Sequence, residues 1–123
     1  MPTPIADPTE RRNMKIPPLA FTVTDWQDIA PTVHPGETGK AHWRTFEVGD
    51  LRVRLVEYSP GYLADHWCHR GHILFVLKGE LITELEDGRR FTLKPGVSYQ
   101  VSDGGDAPHR SATSTGATLF IVD

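Results

Sequence analysis

Most of the side chains that can bind a metal ion lie in two short stretches of this sequence. Residues 61–72 contain three of the six histidines and the only cysteine, Cys68. A further histidine, His109, follows Pro108 near the C-terminal end. Imidazole nitrogens and a thiolate sulfur bind transition metals when a fold brings them together. The sequence therefore predicts a metal-binding pocket. These residues alone do not identify the reaction that takes place there.

The elements that must position these residues are short strands. From residue 21 onward, apolar runs alternate with turn signals, of which Asp87-Gly88 indicates a hairpin and Lys94-Pro95-Gly96 a type II turn. One brief helical turn is expected at 24–29, with Thr24 as its cap. About eight strands of this length and spacing close into a barrel or a two-sheet roll. The predicted strands cover residues 40–47, 51–58, 72–77, 81–86, 89–93, 97–101, 110–114 and 117–122.

Strand geometry predicts how the donors meet. Residues two apart in a strand share a face, so His66 and Cys68 can point into one interior. His72 begins the next predicted strand, and His109 enters from a late strand. These four donors are therefore expected to converge on one ion.

The spacing of these donors resembles the two sequence motifs of the cupin superfamily. Counting back from Gly79, the glutamate position of the first motif falls on His72. Its two histidine positions fall on His66 and Cys68, and His109 takes the place of the histidine in the second motif. The resemblance implies an all-β fold, the double-stranded β-helix or jelly-roll barrel, with a metal bound at the open end of the barrel.

The run Asp65-His66-Trp67-Cys68 is similar to that of the small single-domain proteins called DHCW-motif cupins. The resemblance covers roughly residues 21–123, which we expect to form a single cupin domain. Residues 1–20 are rich in proline and are predicted to form an extended N-terminal arm.

The departures from the cupin pattern at Cys68 and His72 bear on the metal. Three histidines and a thiol favour Fe or Zn, with Ni or Mn as alternatives. If Cys68 binds, the four positions of a tetrahedral zinc site can be filled, and such closed sites are usually structural. If it stays off the metal, three histidines leave open positions for activating water or dioxygen. The sequence leaves both roles of the thiol open.

Other polar residues are candidates for handling a substrate. Arg44 and Arg54 can each clamp an anionic group through paired hydrogen bonds. Tyr99 and Glu57 are the candidate catalytic residues for proton transfer, and His69 is a further candidate. The alternative is that the alternating Arg and Glu residues of these strands form a solvated outer face.

These features predict a metal-dependent enzyme that acts on a small polar or anionic molecule. A three-histidine cupin site resembles that of the thiol dioxygenases, which implies iron-dependent oxidation. Metal-assisted isomerisation or hydrolysis is the other version. The competing hypothesis is a non-catalytic module that binds a metal or a small molecule and is recognised by a partner.

Composition argues against several other classes of protein. Thirteen Lys and Arg against sixteen Asp and Glu give a net charge of −3 without a basic stripe, so nucleic acid is not an expected partner. One cysteine cannot form an intrachain disulfide, and no apolar run approaches membrane-spanning length, so we expect a cytoplasmic protein with no membrane association. The proline-rich arm and an early strand predict a homodimer.

Overall fold

The structure, a computed structural model, describes residues 15–123, so most of the predicted N-terminal arm lies outside it. Within that range the chain forms nine strands and one 3-10 turn, Trp26–Asp28. Asp25, rather than Thr24, caps this turn by accepting a hydrogen bond from the N–H of Gln27 (3.1 Å). The strands are β1 (Thr32–Pro35), β2 (Lys40–Val48), β3 (Leu51–Tyr58), β4 (His72–Gly79), β5 (Leu81–Leu85), β6 (Arg90–Leu93), β7 (Ser98–Val101), β8 (His109–Ala112) and β9 (Ala117–Val122).

The strands form two antiparallel sheets, with the orders β1-β2-β3-β9-β4-β7 and β6-β5-β8. The last strand, β9, lies between β3 and β4, so that strands distant in sequence become neighbours. Two isolated bridges, Leu63 with Ala112 and Cys68 with His109, attach the segment before β4 to the smaller sheet. The prediction of an all-β fold is confirmed.

The core lies between the two sheets and follows from strand alternation. In β9, Ala117, Leu119 and Ile121 are buried, because every second side chain of a strand points to the same face. Val56 and Val76 are fully buried on the neighbouring strands β3 and β4. Complete burial of one such aliphatic side chain contributes about 1.5–3 kcal/mol to the free energy of unfolding.

The same alternation carries polar residues to the inner face at one end of the larger sheet. Arg52 exchanges backbone hydrogen bonds with Asp123, which follows the last residue of β9 (2.6 and 2.9 Å). The Asp123 side chain in turn contacts His72 at the start of β4. Strand register therefore places Arg52, Asp123 and His72 side by side on adjoining strands.

Gly79 ends β4 with a φ of +75°, in the left-handed region that favours glycine. A Cβ atom at this position would collide with the carbonyl oxygen of Gly116. Both constraints require glycine here. They explain why a glycine follows the metal-binding stretch at this spacing.

Two segments differ from the sequence prediction. Thr32–Pro35 forms β1, an edge strand that was not predicted because Pro35 opens the adjacent loop; a proline is tolerated at the end of an edge strand. Residues 64–71 contain a bend at Asp65 and His66 instead of a strand.

No helix among residues 15–123 is long and apolar enough to cross a membrane. The cytoplasmic location and the homodimer stay predictions.

Candidate metal centre

Three of the four predicted metal ligands lie together at the end of the barrel. One ring nitrogen each from His72 and His109 and the sulfur of Cys68 are all within 4.8 Å of one another. Cys68 Sγ is 3.8 Å from His72 Nε2. Ligand atoms that sit about 2.0–2.3 Å from one tetrahedral ion are about 3.5 Å apart, so this spacing fits a metal.

Strand pairing fixes two of these donors relative to each other. Cys68 and His109 exchange both backbone hydrogen bonds of an antiparallel bridge (2.8 and 3.0 Å). The backbone N–H of Arg70 donates to Cys68 Sγ (3.4 Å), which orients the sulfur. The thiol thus lies in the cluster through backbone contacts that do not depend on an ion.

His72 is oriented by a buried carboxylate. Its Nδ1 is 2.8 Å from Asp123 Oδ2, so Nδ1 carries the proton and Nε2 presents its lone pair toward Cys68. Asp123 also accepts from Arg52 Nε (2.9 Å) and from Arg54 Nη2 (2.8 Å). Burial raises the pKa of Asp123, but the hydrogen bonds from His72 and Arg52 outweigh it and hold that pKa well below its usual range. The carboxylate is therefore charged and fixes the imidazole.

His109 is the most buried of the three donors, and its Nε2 has no hydrogen-bond partner among the described residues. Burial, with the nearby imidazoles of His72 and His69, lowers the pKa of His109 to about 4. The ring is therefore neutral at neutral pH. A buried, neutral imidazole with an unpaired ring nitrogen, in a cluster with a thiol and a second imidazole, is what a transition metal would satisfy.

His66, the fourth predicted ligand, is placed differently. Its side chain is 72 % exposed, and its Nδ1 pairs with Asp65 Oδ1 (2.6 Å). This hydrogen bond lowers the pKa of Asp65. Because the chain bends at these two residues, His66 and Cys68 do not share a strand face as predicted. His66 still lines the cavity beside the cluster, and its role as a ligand stays a prediction.

A cavity of about 130 Å³ opens beside the three donors. Arg54 lines it and is only 4 % exposed, yet its Nε has no partner among residues 15–123. Its guanidinium carbon lies 4.3 Å from the centre of the Trp43 ring, which His34 stacks against (centroids 3.6 Å apart). A stacked guanidinium on the cavity wall is suited to attracting a carboxylate or phosphate.

Arg44 and Glu57 lie on the opposite face of the larger sheet. Arg44 Nη1 is 3.6 Å from Glu57 Oε1, and Arg44 Nε donates to the carbonyl of Ile29 (2.9 Å). Strand alternation in β3 buries Arg54 and therefore turns Glu57 outward. This placement corrects the expectation that Arg44 and Glu57 face the pocket; the outer-face alternative describes their position.

Tyr99 lies next to the cluster, as the sequence predicts. Its ring centre is 6.0 Å from that of His109 and 6.5 Å from that of His72. Burial raises the pKa of Tyr99 further above its ordinary value of 10.0. At neutral pH the phenol therefore keeps its proton and can act as a hydrogen-bond donor.

Three residues of the site were missed from the sequence. The alternation of inward-facing side chains through Leu119 and Ile121 continues to Asp123. This pattern in the sequence predicts that the carboxylate that orients His72 faces inward. Arg52 shares a face with Arg54, two residues on, by the same rule. No local sequence pattern indicates Arg110, whose guanidinium carbon lies 4.5 Å from the centre of the Trp67 ring and whose Nη2 pairs with Glu84 Oε2 (3.1 Å).

The cupin-domain family model matches residues 54–123, more than half of the chain. The chain belongs to the cupin family. The matched segment contains all three donors of the cluster, together with Arg54 and Asp123. Membership of the DHCW-motif group stays a resemblance.

Solved structures similar to this cupin include a polyketide cyclase from Streptomyces resistomycificus (TM-score 0.66, 18% identity, 84% of this chain and 78% of that chain). An ectoine synthase from P. lautus has a TM-score of 0.66 at 15% identity, over 83% of this chain and 76% of that chain. A predicted oxalate decarboxylase from Thermotoga maritima has a TM-score of 0.67 at 15% identity, over 82% and 96%. These likenesses show the fold alone, which confirms the cupin jelly roll. Comparison with curated protein sequences gives no match.

Proposed function

We propose that this cupin is a metal-dependent enzyme that acts on a small anionic molecule in the cavity beside Cys68, His72 and His109. The observation that carries the proposal is the unpaired Nε2 of buried His109, a residue that offers one ring nitrogen within 4.8 Å of donor atoms from the other two residues. No residue in the range 15–123 forms a hydrogen bond with this nitrogen. A bound metal ion would give it a partner.

The donor set favours Fe or Zn, because imidazole and thiolate suit both ions. When bound, a divalent transition metal supplies Lewis acidity, or activates water or dioxygen at an open position. Ni and Mn stay the alternatives. Cys68 is assigned here as a ligand, since its sulfur lies in the cluster.

The residues around the cluster support an anionic substrate. Arg52 and Arg54 share the single carboxylate of Asp123, which leaves an excess of positive charge on the cavity wall. Arg54 attracts the anionic group of the substrate through its positive charge. Tyr99 donates a hydrogen bond to the reacting group, because its protonated phenol lies beside the ring of His109.

The similar structures support an enzyme of this type on this fold. Their names describe a cyclase, a synthase and a predicted decarboxylase. At 15–18% identity their substrates do not transfer to this chain. For this cupin, oxidation by dioxygen and metal-assisted isomerisation or hydrolysis are both kept as reaction classes.

The test begins with elemental analysis of untagged protein purified without chelator. We expect about one transition-metal ion per chain for the unaltered protein and for His42→Ala, which replaces a histidine outside the cluster. His109→Ala should lose most of the metal. Oxygen consumption by the iron-loaded protein is then screened against thiols and small carboxylic acids. A metal content far below one per chain would contradict the proposal.

A non-catalytic binding module is the second candidate. It is favoured by the presence of Cys68 in the cluster with His66 on the cavity wall, because four protein ligands would close a tetrahedral site. This module would hold one ion per chain and convert no compound in the screen. Spectroscopy of the Co(II)-substituted protein distinguishes the two, since a closed site does not respond to added anions.

The predicted homodimer is also proposed. Ile73, Phe75 and Leu77 alternate along β4 and are exposed on the outer face of the larger sheet. A row of exposed apolar side chains suits contact with a second copy. Light scattering at micromolar concentration should give twice the chain mass. A monomer mass would refute this part of the proposal.

A further inference from the structure

A second cavity, the groove between β6 and β7, lies between the edge strands of the two sheets. Its volume is about 330 Å³, larger than that of the cavity beside the cluster. Its walls are mostly apolar, and Phe91 and Val97 on them are 50 % and 44 % exposed. The aliphatic and phenylalanine side chains that line it are Leu85, Phe91, Leu93, Val97, Val101 and Ala107.

One buried polar atom in the groove has no partner. Thr83 lines the groove and is 4 % exposed, and its Oγ1 makes no hydrogen bond to any described residue. Buried hydroxyl groups are rarely left unpaired, because the lost hydrogen bond to water is not replaced. The groove therefore contains one buried hydroxyl group among its apolar side chains.

The groove adjoins the candidate metal centre. Tyr99 and His109 line both the groove and the cavity beside the cluster, so these two side chains form a shared wall. His109 is one of the three donor residues of the cluster. A molecule in the groove would therefore lie against His109 and the neighbouring Tyr99.

Charge differs between the two compartments. At the groove, Arg89 pairs with both Asp87 and Asp106, so its positive charge is neutralised. The cavity on the other side instead carries Arg52 and Arg54 against the one carboxylate of Asp123. The groove thus suits an uncharged apolar group, and the cavity suits an anion.

We infer that the groove between β6 and β7 binds the apolar chain of an amphiphilic substrate whose polar head lies at the metal centre. This inference rests on the proposed function for the role of the head group. The occupant is a small molecule with a carboxylate and a hydrocarbon chain. Short, fully polar acids would fill only part of the site.

The test uses isothermal titration of the full chain, as purified, with acetate, butanoate, hexanoate and octanoate. Each methylene buried in the groove should tighten binding about fourfold, which corresponds to the transfer free energy of one buried CH₂. Methyl NMR signals of Leu85, Leu93 and Val97 should shift with octanoate and stay unchanged with acetate. An affinity that does not depend on chain length would overturn the inference.

Two groove variants and a matched control locate the binding. Val97→Gln should weaken octanoate binding about tenfold, since an amide replaces an apolar wall. Val33→Gln changes a valine of similar exposure (53 %) on β1, away from the groove, and should leave binding unchanged. Phe91→Ala provides a second groove variant if Val97→Gln does not fold. An equal loss of octanoate affinity in Val97→Gln and Val33→Gln would overturn the assignment of the groove as the binding site.

His72→Ala separates this inference from the proposed function. His72 lies in the metal cluster but does not line the groove. The increase in affinity per methylene should persist in this variant even when the metal is lost. If unaltered protein holds no metal yet its affinity for the alkanoates rises fourfold per methylene, the enzyme proposal fails and the inference about the groove is upheld. If it holds metal and the increments are missing, the groove inference fails alone.

Discussion

The histidines that border the cavity differ in how the fold holds them. His72 and His109 each begin a strand, whereas His66 lies in the bend before β4. The carboxylate beside His72 is the fully buried Asp123, while the one beside His66 is the exposed Asp65. Ladder hydrogen bonds hold the strand-borne donors in position without an ion. The loop-borne donor depends on a surface contact, so its contribution to metal binding should be smaller.

The largest expected effect follows loss of a strand-borne donor. His109→Ala should weaken metal binding more than 100-fold, beyond the range for residues that only orient a ligand, because one of three clustered donors is removed. Competition with a chelator of known affinity measures the change. Binding as tight as in the unaltered protein would remove His109 from the site.

Acid should destabilise the metal-free protein through the same residue. The pKa of His109 is lowered from 6.5 to about 4 by folding, so its stabilising effect is complete above about pH 6.5 and is lost as pH falls toward 4. The loss should be on the order of 2–3 kcal/mol in the free energy of unfolding. The pKa of Asp123 is also lowered on folding, so its stabilising effect is present above its ordinary pKa and is lost at still lower pH.

Urea unfolding between pH 7 and pH 4 tests this expectation. His109→Gln removes the titrating group and should flatten the pH dependence between 6.5 and 4. His42→Gln should keep the slope of the unaltered protein. The same steep slope in His109→Gln would mean that another group causes it.

Paired substitutions of the two carboxylates sharpen the comparison directly. Asp123→Asn should weaken metal binding about 10–100-fold, because a carboxylate that orients a ligand is lost. It should also lower the melting temperature, since Arg52 and Arg54 lose a buried partner. Asp65→Asn is the matched change in the loop and should weaken binding less than tenfold. Equal effects would show that the buried and exposed carboxylates serve their histidines alike.

The smallest effect is expected for His66→Ala. The side chain is 72 % exposed and lies outside the cluster of Cys68, His72 and His109. Metal affinity should therefore stay within about threefold, a change of less than about 1 kcal/mol in binding free energy. A loss as large as that of His109→Ala would mean that metal binding pulls the loop inward.

Strand-borne features of the site could be predicted from the sequence. Alternation and turn signals place His72 at a strand start and His109 directly before the predicted strand 110–114, and cupin motif spacing identifies both as candidate ligands. Arg54 is two residues from the buried Val56 and therefore shares its inward face, whereas Glu57 is adjacent to Val56 and points outward. These features follow from backbone geometry, which the sequence encodes locally.

The remaining features depend on contacts that no local pattern describes. The bend at Asp65 and His66 breaks the strand geometry that was expected to give His66 and Cys68 a shared face, and single bridges at Leu63 and Cys68 attach this segment. The groove beside Thr83 arises where two sheet edges meet without pairing. Long-range packing of this kind is visible only in three dimensions.

The central claim is that Cys68, His72 and His109 hold one ion, and anomalous diffraction from crystals of protein purified without chelator tests it most directly. We predict a single anomalous peak within about 2.0–2.3 Å of Cys68 Sγ and of one ring nitrogen of each histidine. A peak bound elsewhere, or none at these three residues in metal-saturated crystals, would contradict the account.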